Sequence, residues 1–107
     1  YLGCKPAPSA FYSRMQTLAL RSIEALNNAT NSRARGWVGV DMILGSHDDG
    51  RDDQVLEINP RFTTSYVGLS RGQQDGLLGP LLNHIRGNRN FIASWNEEAC
   101  EFSFVPQ

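Results

Sequence analysis

The sequence predicts an α+β fold, an antiparallel sheet with helices packed against it. Three observations carry that expectation. Apolar residues recur at helical spacing from Ser9 to about Asn28. Two β-rich runs between Trp37 and Asn59 flank a polar, glycine-containing loop. Shorter helical and strand signals follow. With 107 residues, 40% hydrophobic and 20% charged, the chain has the make-up of one ordinary globular domain, neither disordered nor fibrous. That length suits one modest core and not two. The chain starts at Tyr1 and not at a methionine, so the expectation is a single domain over 1–107 that is a piece of a longer protein.

In the first helix Phe11, Met15, Leu18, Leu20, Ile23 and Leu26 form a slightly widened apolar stripe, with Pro8 suited to a first helical position. Asn27 and Asn28 weaken the helix, and Thr30-Asn31-Ser32 reads as loop. Trp37 to Leu44 and Gln54 to Asn59 read as strands, the second ended by Pro60, which cannot donate to a sheet ladder. Between them, Ser46 to Asp53 has the composition of a hairpin loop. Thr63-Thr64-Ser65 supplies N-cap candidates for a short helix through Leu69, and Arg71 to Gly76 is loop. Leu77 to Ile85 reads as helix, and Phe91-Ile92-Ala93 and Phe102 to Val105 as weaker strands.

The hairpin, about 36–61, concentrates the chemistry. Strand side chains alternate between faces. A register symmetric about Asp49 pairs Leu44 with Gln54, Asp41 with Glu57, and Gly39 with Asn59. Val55, Glu57 and Asn59 then share a face, and Leu56 and Ile58 the other. Cross-strand partners hold their Cβ atoms roughly 4.5–5.5 Å apart, so Asp41, Glu57 and Asn59 gather on one patch beside a glycine. Two carboxylates about 5 Å apart repel by roughly 3 kcal/mol at an effective dielectric of 20. Either one keeps a proton or a cation sits between them. Two carboxylates and an amide oxygen are hard donors suited to Mg²⁺, which takes one or two carboxylates, waters and substrate phosphates. Arg61 leaves the strand end beside Asn59, with Pro60 holding the chain extended, and its guanidinium suits phosphate or carboxylate. The Thr63-Thr64-Ser65 segment would offer backbone N–H groups to the same space. Ser65 is the favoured contact among the three hydroxyls, with simple helix capping the equal alternative.

Gly39-Val40-Asp41, followed by Leu56-Glu57-Ile58-Asn59-Pro60-Arg61, resembles the C-terminal metal-binding part of the ATP-grasp superfamily. That superfamily includes D-alanine–D-alanine ligases, carbamoyl phosphate synthetase, biotin carboxylase and tyramine–glutamate ligase. The continuation Thr63 to Leu69 is most similar to the tyramine–glutamate ligase group, and the resemblance covers about positions 1–70. It implies the C-terminal subdomain of an ATP-grasp fold, with ATP and Mg²⁺ (or Mn²⁺) as cofactors. Asp41 and Glu57 would bind the metal, Glu57 bridging two ions and Asn59 completing the second. Arg61 would stabilise the transferred phosphoryl group. The implied reaction joins a small carboxylate to an amine or thiol through an acyl phosphate. The family's phosphate-binding lysines and Gly-rich lid find no counterpart here, where Lys5 is the only lysine. The expected partners therefore include the N-terminal ATP-grasp subdomains of the same protein, and the isolated chain is not expected to turn over ATP. A non-catalytic nucleotide-binding or protein-interaction module is the alternative.

The remaining signals read as structural. Asp48, Asp49, Asp52 and Asp53 lack the spacing of a calcium loop and read as a solvated hairpin tip. His47 and His84 have no metal-ligand spacing, and Cys4 and Cys100, ninety-six positions apart, make neither a disulfide framework nor a zinc site. Trp37, Phe62 and Tyr66 read as packing residues. A net charge of −1 gives no field to attract nucleic acid or an anionic membrane, and no apolar run approaches a bilayer span. With no secretory signal, the expected location is cytoplasmic.

Overall fold

The computed structural model describes residues 3–73, 76–87 and 102–103. In chain order the elements are β1 (Gly3–Cys4), a 3₁₀ turn (Ser9–Phe11), α1 (Tyr12–Thr30), β2 (Gly39–Ile43), β3 (Gln54–Asn59), α2 (Ser65–Gly72), α3 (Leu78–Ile85) and β4 (Phe102–Ser103). The α+β class is as expected. In place of one sheet, the described strands form two separate antiparallel pairs, β1 with β4 and β2 with β3. The chain divides into two compact units, Ala7–Phe62 on the one hand and Tyr1–Pro6 with Thr63–Gln107 on the other. No helix among the described residues is long and apolar enough to cross a membrane.

In the first unit α1 packs against β3. Its half-buried residues fall at 14/15, 18/19, 22/23 and 26/27, a stripe of Arg14, Met15, Leu18, Ala19, Ser22, Ile23, Leu26 and Asn27. Two residues of the expected stripe lie off it: Leu20 is 60% exposed and Phe11 40%. Leu20 sits about 100° round the helix from the neighbouring stripe residue Ala19, which apolar composition alone does not reveal. Pro8 precedes the helix with extended backbone and accepts a bond from Phe11 N–H at 3.0 Å. At the other end the helix runs two residues past Asn28. Asn27 organises the exit: its carbonyl receives Ser32 N–H at 3.2 Å and its side-chain Oδ1 receives Ala34 N–H at 2.8 Å. Asn31 takes the left-handed conformation (φ 48°) that ends many helices.

Pairing in the hairpin runs Gly39↔Asn59, Val40↔Ile58, Asp41↔Glu57, then Met42↔Val55 and Ile43↔Gln54. Leu56 is an extra residue, a β-bulge directly beside the Asp41–Glu57 pair. The expected pairing of Leu44 with Gln54 is thus replaced by Ile43 with Gln54. Val55, and not Leu56, joins Met42 on the inner side of the hairpin. The burial follows: Val40, Met42, Val55 and Ile58 are half-buried, whereas Ile43 and Leu56 are 54% and 61% exposed.

In the second unit Tyr66 N–H bonds to the Thr63 carbonyl at 3.0 Å and Val67 N–H to the Thr64 carbonyl at 3.1 Å, opening α2. That helix continues to Gly72, past the expected loop start at Arg71. Leu77 and Gln73 are buried here. In α3, Pro80 falls in the first turn, where a missing N–H removes no helical bond. Gly87, with φ +95°, closes the helix through its N–H to the His84 carbonyl at 3.0 Å. The expected strand at Phe91–Ala93 and the end of the last strand at Phe104–Val105 lie outside the described residues.

Candidate functional site

The candidate site is the outer face of the hairpin at its open end. Antiparallel pairing places Asp41 opposite Glu57 and Gly39 opposite Asn59, two rungs of one face. Asn59 Nδ2 donates to Asp41 Oδ2 at 3.2 Å, so those two side chains meet across the strands. Asn59 is only 7% exposed, whereas Asp41 and Glu57 are exposed. A buried amide braced against an exposed carboxylate fixes one edge of the patch. Among the described residues neither carboxylate has a cationic partner within ion-pair distance. Among the described residues no group of three or more His, Cys, Asp or Glu side chains converges there; the third polar member at this patch is the amide of Asn59.

Arg61 follows immediately, but Pro60 does not hold the chain extended. Arg61 N–H bonds back to the Asn59 carbonyl at 2.8 Å, closing a three-residue turn around Pro60. The fixed φ of proline suits such a turn. The exposed guanidinium of Arg61 donates to the Phe62 carbonyl at 3.3 Å. An aromatic clasp that sequence reasoning treated only as packing lies beside it. Trp37 and Phe62, flanking the outer ends of β2 and β3, bring their rings to 5.8 Å between centroids with a 42° tilt. Ser65 belongs to the second unit, where it opens α2; its hydroxyl lies 2.7 Å from that of Thr63.

At the loop end the hairpin is built differently. Arg14, from the half-buried stripe of α1, forms a two-pronged ion pair with Asp53, its Nε lying 2.6 Å from Oδ2 and its second prong meeting Oδ1. The same guanidinium donates to the Gly45 carbonyl at 3.0 Å, while Gly45 N–H donates to Asp53 Oδ1 at 2.9 Å. The Asp53 side chain is 5% exposed. The hydrogen bonds from Arg14, and secondarily from Gly45, hold its carboxyl below the usual range against the opposing effect of burial. Arg14 is correspondingly raised, chiefly through its bond to Asp53. His47 pairs with Asp52, and Asp49 Oδ1 accepts Arg51 N–H at 3.1 Å. The sequence shows only a solvated tip here, because Arg14 and Asp53 are 39 positions apart with no local signal joining them. An open cleft of about 520 Å³ separates this tip from α1, lined among others by Phe11, Arg14, Thr17, Arg21, Asp49 and Asp53.

A hairpin with Asp41 facing Glu57, Asn59 beside them and a Pro-Arg turn at the strand end has the donor chemistry of a divalent-metal and phosphate site. A family model described as ATP-grasp domain matches residues 1–65, which contain all of this hairpin. The chain belongs to the ATP-grasp family, whose domains bind ATP, generally with Mg²⁺, in ligase-type functions. No curated protein and no solved structure matches the chain.

Proposed function

We propose that the chain is the C-terminal ATP- and Mg²⁺-binding portion of a carboxylate–amine (or –thiol) ligase that works through an acyl phosphate. The observation that carries this reading is the meeting of Asp41, Glu57 and Asn59 on one face of the hairpin, with two exposed carboxylates lacking a described cationic partner. The donor set fits the metal. Asp41 and Glu57 supply carboxylate oxygens, and Asn59, whose Nδ2 donates one bond to Asp41, keeps its amide oxygen as a donor for the metal. Bound there, Mg²⁺ would neutralise the triphosphate and favour in-line transfer. Glu57 and Asp41 hold the phosphate end through that charge. Arg61 is the phosphoryl-stabilising residue, its exposed guanidinium released from a single 3.3 Å carbonyl contact. Ser65 serves as the nucleotide or substrate contact from the start of α2. The substrate carboxylate takes the γ-phosphoryl group of ATP, and the amine then displaces phosphate. The remaining phosphate contacts come from N-terminal ATP-grasp subdomains of the same protein.

Titration of the chain with Mg²⁺ and a non-hydrolysable ATP analogue, followed by NMR, tests this reading. Shifts should centre on Asp41, Glu57 and Asn59 and spread to Arg61. Silence at those residues would refute it, and would favour a protein-interaction module in which the acidic face binds no nucleotide.

A further inference from the structure

The bulge at Leu56 raises a physical question. The apolar pattern would be equally satisfied without it: in the symmetric register Leu56 would take the inner position facing Met42 and Val55 the outer one. Burial of a leucine or a valine at that place does not choose between the two. Something outside the strands must hold the loop end one residue out of step with the site end.

Two features do so. Gly45 lies against Asp52, where a Cβ on residue 45 would stand 2.3 Å from the Asp52 Cβ and 2.9 Å from its backbone. Such an approach continues the shifted pairing Met42↔Val55 and Ile43↔Gln54 to Gly45 opposite Asp52, and only glycine permits it. The Arg14–Asp53 pair then locks it, since Asp53 takes Gly45 N–H while Arg14 takes the Gly45 carbonyl. Both loop ends are thereby tied to α1. Bulges increase local twist and re-aim the side chains beside them. This one adjoins Glu57.

We propose that Arg14 and Asp53 are positioning residues for the candidate metal site: their pair, closed on Gly45, maintains the Leu56 bulge and so sets the local twist at Glu57, which faces Asp41 in either register. This rests on the metal reading of Asp41, Glu57 and Asn59. In this role neither residue contacts the metal.

The test compares wild-type chain with Asp53→Asn and, should that variant fold poorly, Arg14→Lys, which keeps the charge but loses the fork. Measurements are made where circular dichroism shows full α1 helicity. Cross-strand NMR contacts report the register without any metal, and Mn²⁺-induced broadening at Glu57 reports affinity. The variants should exchange the Met42–Val55 contact for Met42–Leu56 and bind Mn²⁺ about tenfold more weakly, the scale of lost outer support at a metal site. Asp53→Glu should restore part of both. Retention of Met42–Val55 pairing in folded variants, or a changed register with unchanged Mn²⁺ affinity, would overturn the positioning role alone. Absence of Mn²⁺ broadening in the wild type would overturn the metal reading, and the positioning role with it.

Discussion

The two ends of one hairpin treat the same functional group in opposite ways. At the loop end each of Asp49, Asp52 and Asp53 has a described partner, and Asp53 is nearly enclosed by Arg14 and Gly45. At the open end Asp41 and Glu57 face one another, exposed, and among the described residues only the Asn59 amide bonds to Asp41. Balanced carboxylates hold a fold together. Opposed ones at close range repel one another, and a cation between them would offset that repulsion. The difference separates carboxylates that brace the hairpin from exposed ones that the proposed reading assigns to a metal.

Breaking the open end should have the largest effect, and on activity. On the proposed ligase reading, Glu57→Gln is expected to lower ligation by about 10²–10³-fold, on the scale of losing one charge-stabilising group. A steady-state assay checks this, and turnover within a fewfold of wild type would erase the contrast between the two ends. Breaking the loop end should instead cost stability. Gly45→Ala drives a methyl group into Asp52 and should destabilise the chain by about 1–3 kcal/mol, read as a lower urea midpoint.

The smallest expected effect sharpens the comparison through pH. The carboxyl of Asp53 is held below its ordinary range by its bonds from Arg14 and Gly45. A group with a depressed folded-state pKa contributes its stability above the unfolded value, about 3.9 for aspartate, and loses it as pH falls through the folded value. Urea midpoints of the wild type should therefore decline as pH falls below about 4. The decline should be shallower in Asp53→Asn. Parallel curves for the two proteins would remove Asp53 from the acid-sensitive part of the fold.

Much of this hairpin was legible in the sequence because its signals are local. The alternation of Val55 to Asn59 and the stop at Pro60 set the second strand at Gln54–Asn59, as found. Gly39, Asp41, Glu57 and Asn59 pair as expected since the register at the open end matches the symmetric one. The bulge was not legible: Val55 and Leu56 are both apolar, so a binary pattern cannot say which faces inward. Nor was the clamp, as Arg14 reads as an ordinary polar helix residue until the fold brings α1 beside Asp53. Leu20 misled for the converse reason, an apolar side chain on the exposed side of α1. The turn at Pro60 replaced an extended exit because the Asn59 carbonyl had a nearby N–H, that of Arg61, to accept.

Thermal unfolding of the wild type and Glu57→Gln, each in EDTA and in excess Mg²⁺, asks most directly whether the opposed pair awaits a cation. The account predicts that Glu57→Gln melts at or above the wild-type temperature in EDTA, that Mg²⁺ raises the wild-type transition, and that the variant ignores the ion. A variant that melts well below the wild type in EDTA, alongside a wild type indifferent to Mg²⁺, would contradict it.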